Sequence, residues 1–214
     1  MKNSANNTLI NIWKKRFSDK KLRNEFLIVI TVLIISLISL SNFLLFNELR
    51  SGASINDPVL NLFHPADFTW LTFLVIYSGI IIAIVHLIKN PDKLTLALLS
   101  YAITAFFRIA AMYSLPLNPP EHIIPLNDPF VQLFGTGNIL LKDLFFSGHT
   151  STLFLLFLVI SEKKIKYIFL VLTGLVAVFV LIQHVHYTVD VIAAPFFAFG
   201  SFVLAEKFLF FIKK

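Results

Sequence analysis

The sequence predicts an all-α, polytopic membrane protein with six transmembrane helices and both termini in the cytoplasm. Three observations carry that reading. Charged residues make up only 14% of the 214 positions and hydrophobic ones 57%, where a soluble domain carries about 25% charged residues. Six segments meet or approach the roughly 20 apolar residues needed to cross a ~30 Å hydrocarbon core. Lys and Arg fall almost wholly on one side of the resulting topology. The composition argues against a soluble globular enzyme and an intrinsically disordered chain, and the lack of cysteine against a disulfide-stapled scaffold.

Residues 1–25 read as a basic N-terminal segment ahead of a membrane domain at 26–214. Lys14, Lys15, Arg16, Lys20, Lys21 and Arg23 alternate there with Leu9, Ile10, Ile12, Trp13, Phe17 and Leu22. That pattern suits either an interfacial helix on an anionic leaflet or a solvated basic tail. The spans are expected at Phe26–Phe46, Phe68–Ile88, Leu94–Leu115, Leu144–Ile160, Ile165–Ile182 and Tyr187–Ile212. The first is too long for a signal-peptide core, and no cleavage-like site follows it. With six spans, 15 of the 18 Lys and Arg lie on the side of the termini; Arg50 and Lys142 lie opposite, and Arg108 lies in a span. This placement accounts for the net charge of +6 without nucleic acid. Two long outer connections, Asn47–Asp67 and Ser114–Asp143, carry Gly and Pro and no helical period. The short loops and the Lys, Asn and Ile usage point to a bacterial inner membrane.

Ionisable residues within spans are costly and mark function by default. On this topology Arg108, His149, His186 and Asp190 come from separate stretches and meet at one depth near the outer face. His186 and Asp190 are spaced i, i+4, which puts them on one helical face. The carboxylate can then fix one imidazole tautomer and leave the other nitrogen basic. Ser147, Gly148 and His149 open the fourth span, and the first turn of a helix favours a bound anion. Arg108 adds a fork that fits phosphate oxygens; the alternative is a structural role, snorkelling outward or pairing with Asp128 or Asp143. The set suits metal-free phosphoryl transfer through a phosphohistidine, with no cofactor. A metal site is the rival, but His184 and His186 point apart on a helix, and there is no HExxH or cysteine. His64, His86 and His122 read as ordinary interfacial residues.

The motifs Phe146-Ser147-Gly148-His149-Thr150 and His186-Tyr187-Thr188-Val189-Asp190 resemble those of the type-2 phosphatidic acid phosphatase and lipid phosphotransferase superfamily. The branch most similar is the sphingomyelin synthases, whose motifs read Gly-Asp-x3-Ser-Gly-His-Thr and His-Tyr-Thr-x-Asp-Val. Here those positions are Lys142-Asp143-Leu144-Phe145-Phe146-Ser147-Gly148-His149-Thr150 and His186 to Val191. The run Arg108…Leu115-Pro116 resembles that branch's third-span motif more weakly. The resemblance spans about Arg108 to Ala194. It implies six spans and a metal-free site with His186 as nucleophile, Asp190 as its orienting carboxylate and His149 as general acid, then base. Arg108, Ser147 and Gly148 are then expected to hold the substrate phosphate, with Asp143, His184 and Tyr187 as supporting residues. Leu141-Lys142 replaces the branch's Cys-Gly, and Pro195-Phe196 replaces a Tyr pair, so choline-type headgroup specificity does not carry over. The phosphatase branch differs more: its Ser-Arg pair before the nucleophile is Phe179-Val180 here, and its Pro before Ser-Gly-His is Phe146.

The expected partners are the bilayer, a phospholipid donor, and a lipid or water acceptor. A phosphomonoester carries nearly two negative charges, and the outer face offers it only Arg108, Lys142 and Arg50. The balance favours phosphodiesters, hence headgroup transfer to a lipid hydroxyl on the outer face. The alternatives are a lipid phosphate phosphatase with the same site and a non-catalytic lipid-binding or transport protein. The oligomeric state is not legible.

Overall fold

The computed structural model describes residues 2–126 and 140–213. Asp128, Pro129, Gly135 and Gly137, read above as a pairing candidate and loop residues, lie outside them. The described residues form seven α-helices: α1 (Lys2–Ser18), α2 (Lys20–Glu48), α3 (Thr69–Leu87), α4 (Pro91–Ser114), α5 (Gly148–Val159), α6 (Lys163–Ile182) and α7 (Thr188–Lys213). A short 3-10 turn spans Leu60–Leu62. An isolated bridge joins Ala53 and Leu117.

Five helices, α2, α3, α4, α6 and α7, are long and apolar enough to cross a membrane. The fourth expected span, Leu144–Ile160, is different. Its helix α5 has 12 residues, about 18 Å at 1.5 Å per residue. Ser147 ends the helix at that point: it caps α5 in an extended conformation and accepts a bond from the Thr150 N–H at 3.4 Å. Leu144 and Phe146 are instead buried in a bent, non-helical segment, with Phe146 stacked on Phe197 at 4.3 Å. Their apolarity serves tertiary packing, which hydropathy alone cannot tell from a helix. In the opposite sense, α2 starts at Lys20, six residues before its apolar run, because Asp19 caps it with bonds from Lys21 and Leu22 N–H.

Helices α4 and α7 pack together at the centre, α2 lies on α4, α5 fits among α4, α6 and α7, and α3 lies on α6. The main core lies where α3, α5 and α6 meet, around Leu153, Leu155, Val159, Phe169, Val176 and Val180. At one end α1 is clasped to the bundle. Arg16 is buried, and bonds Glu25 at 2.9 Å, Asp92 at 2.8 Å and Thr95 at 2.9 Å. Trp13 donates to the Ile88 carbonyl at 3.0 Å. Arg16 is thus no solvated tail charge; one buried guanidinium fixes how α1 meets α2 and α4.

At the other end three connections are tied together. Ala53 N–H donates to Pro116 O, and Asn118 N–H to Ala53 O, each at 2.9 Å. Gln183 donates to Thr69 Oγ1 at 2.8 Å and to Ile124 O at 3.1 Å, and accepts from Phe68 N–H at 3.3 Å. This network holds the turn between α6 and α7, which carries His184 and the start of the second motif at His186.

Candidate active site

The turn is built by backbone bonds to the last residues of α6. His184 N–H donates to Leu181 O, and Val185 N–H to Val180 O, each at 2.9 Å. His184 sits at φ 55°, a left-handed conformation that lets the chain reverse into α7. Asp190 lies in the first turn of α7, fully buried. Its Oδ2 accepts the Tyr187 N–H at 3.1 Å and faces His186 Nδ1 at 3.3 Å. With an ionised carboxylate, Nδ1–H is the donor, and Nε2 keeps its lone pair for chemistry. The i, i+4 spacing read from the sequence therefore corresponds to a direct contact.

Asp190 also brings in the other motif. Its carbonyl accepts the Ser147 N–H at 3.0 Å, which pins the start of α5 to the start of α7. Ser147 is buried, and its hydroxyl accepts from Thr150 Oγ1 at 3.1 Å. His149 is in the first turn of α5, beside this junction.

Arg108, from α4, closes the site. Its guanidinium lies against Gly148: a Cβ there would stand 2.6 Å from Nη1 and 2.7 Å from Cζ. Only glycine admits so close an approach without a shift. Arg108 Nη2 is hydrogen-bonded to Asp143 Oδ1. Burial raises the Asp143 carboxyl, but the Arg108 charge and bond, with smaller contributions from His186 and His149, hold it below the ordinary carboxylate range. Arg108, Asp143, His149 and His186 thus share one electrostatic neighbourhood. Asp190 Oδ1 and Arg108 Nε are buried with no hydrogen-bond partner among the described residues.

Other candidates lie elsewhere. His184 donates from Nδ1 to Glu121 O at 3.2 Å and meets the Phe63 ring at 5.4 Å. It lines a cavity of about 570 Å³ with His64, His122, Glu121 and the Tyr187 side chain. Tyr187 OH donates to Asn118 O at 3.0 Å, so it is the backbone N–H of Tyr187 that reaches Asp190. Arg50 caps α4, bonding Met112 O at 3.2 Å and Tyr113 O at 3.1 Å. Lys142 bonds the Arg50 carbonyl at 2.5 Å. Of Arg50, Arg108 and Lys142, it is Arg108 that lies against the α5 start.

The sequence reading missed Asp57. Its Oδ2 accepts the Thr188 N–H at 2.6 Å, and its Oδ1 accepts Thr188 Oγ1 at 3.0 Å. It caps α7 from a distant loop, and an acidic residue in a Pro-containing connection gives no local sign of that role.

Residues 142–207 match a family model described as the PAP2 superfamily C-terminal region. The match takes in Asp143, the residues from Ser147 to Thr150, and the turn from His186 to Asp190. It covers under a third of the chain, supports the PAP2 superfamily, and is consistent with a membrane enzyme of the lipid phosphatase or phosphotransferase type. No curated protein and no solved structure matches the chain.

Proposed function

We propose that this chain transfers a phospho-headgroup from a phospholipid to a lipid hydroxyl through a phosphohistidine on His186, at the extracytoplasmic face. One observation carries the reading. The Asp190 side chain orients His186, while its carbonyl pins the start of α5, where His149 and Arg108 converge. An oriented nucleophile, a second imidazole and an anion-binding helix start then meet where α5 and α7 begin.

In the first step His186 Nε2 attacks phosphorus, and the bond from phosphorus to the leaving oxygen breaks. His149 gives its proton to the departing alcohol. In the second step the acceptor hydroxyl loses its proton to His149 and attacks phosphorus, and the P–N bond breaks. His186 and His149 return to their starting states. No step requires a metal or a cofactor. The engagement of Arg50 and Lys142 with backbone carbonyls favours transfer over monoester hydrolysis, because, of these three side chains, it leaves Arg108 to meet a phosphate at the α5 start.

Two assays on purified protein in detergent test this reading. Headgroup exchange between labelled phospholipids and lipid alcohols is expected. Phosphate release from a lipid monoester without exchange would make the protein a phosphatase, with water as acceptor. Activity in neither assay would make it a binding or transport protein.

A further inference from the structure

Positive charge accumulates at the start of α5. The Arg108 guanidinium lies against Gly148, at the positive end of the α5 dipole. His149 and His186 act on the same neighbourhood. Such a position calls for an anion. In the resting chain that anion belongs to the protein: Asp143 is ion-paired with Arg108 and only partly exposed.

We infer that Asp143 determines which phosphates the site accepts, by occupying on Arg108 the position that a substrate phosphate must take. The inference rests on the phosphate-binding role proposed for Arg108. A phosphodiester brings one negative charge and replaces the carboxylate one for one. A phosphomonoester brings nearly two. Its second charge meets the displaced Asp143 and the buried Asp190, with no second Arg or Lys against the α5 start among the described residues to offset it. Asp143 is a resident competitor: weak enough for a diester to displace, and repulsive enough to exclude a monoester. The discrimination between transfer and dephosphorylation substrates then lies in one carboxylate beside the nucleophile, and not in the nucleophile itself.

The experiment uses full-length protein in detergent and inorganic phosphate at pH 8, where phosphate is mostly a dianion. Dissociation constants are measured for the wild type, Asp143→Asn and the double variant Arg108→Gln/Asp143→Asn. Asp143→Asn is expected to bind phosphate roughly 10–100-fold more tightly, the scale of one like-charge pair about 6–12 Å apart at an effective dielectric of about 20. The double variant is expected to lose that gain. A merely structural Asp143 gives the opposite sign, because a loosened Arg108 binds phosphate more weakly. Equal or weaker binding by folded Asp143→Asn overturns the inference. If that variant does not fold, the wild type decides: the dianion should bind no more than about threefold tighter than dimethyl phosphate, a diester monoanion. A preference above tenfold for the dianion overturns the inference. Turnover that survives His186→Ala would overturn the proposed function instead, and that outcome is read independently of phosphate affinity.

Discussion

Gly148→Ala separates the site from the fold. The added methyl would stand 2.6 Å from Arg108 Nη1, 2.7 Å from Cζ and 3.0 Å from Nη2. Ordinary contact begins near 3.4 Å, so the guanidinium must retreat by about 0.8 Å. Its long side chain can do so at little cost to stability. Alanine is also a better helix former than glycine, by up to ~1 kcal/mol in a helix interior. Thermal stability is therefore expected to hold or rise slightly. Activity is expected to fall, because an error of about 1 Å in a positioning group costs on the order of 10²-fold. The assay pairs a melting curve with kcat/KM for headgroup transfer in the same detergent. A folded Gly148→Ala variant within about threefold of wild-type kcat/KM would refute the role given to Arg108 at the α5 start.

Other expectations follow from the same geometry. Asp57→Asn weakens the cap on α7 and should lower stability by about 1 kcal/mol, within the 0.5–2 kcal/mol range of helix caps; calorimetry or a chemical melt measures it. Asp143 titrates below the ordinary Asp range, held there against burial by Arg108. Its stabilisation is thus present above about pH 4, and is lost as pH falls through the lowered value. Melting curves taken from pH 6 downward should show a smaller acid loss in Asp143→Asn than in wild type, and equal losses would contradict the pairing. The orientation can be read with single cysteines in this cysteine-free chain. An impermeant thiol reagent should label Leu62→Cys, at an exposed loop position, in intact cells and miss Lys164→Cys. The reverse pattern would move the site to the cytoplasm.

Much of this arrangement is legible in the sequence because it depends on local spacing. The spacing of His186 and Asp190 within one turn anticipates their contact. Five apolar runs become long helices because little else can be done with 20 apolar residues. What stays illegible depends on tertiary context. Leu144 and Phe146 are as apolar as any span residue, yet they are buried in a bent, non-helical segment just before α5. Arg16 reads as one of several basic residues, and only the fold shows it buried against Glu25, Asp92 and Thr95. Of the two pairings open to Arg108, Asp143 is made, 35 positions away, and no periodic pattern reports so distant a contact. His184 sits two residues from His186, but its backbone is left-handed and it lines the cavity with His64 and His122.

The central claim is that His186, and not His149, attacks phosphorus. Its most direct measurement uses a phospholipid-like donor with radioactive phosphorus and a nitrophenol leaving group, which departs without a proton. Acid-labile, base-stable label is then sought on wild type, His149→Ala and His186→Ala. Expected is label that accumulates on His149→Ala, because the intermediate forms but no base activates the acceptor. With ordinary donors the same variant should be slowed by roughly 10²–10⁴-fold. No label is expected on His186→Ala. Label on His186→Ala together with its absence from His149→Ala would contradict the claim, and would place the nucleophile on α5.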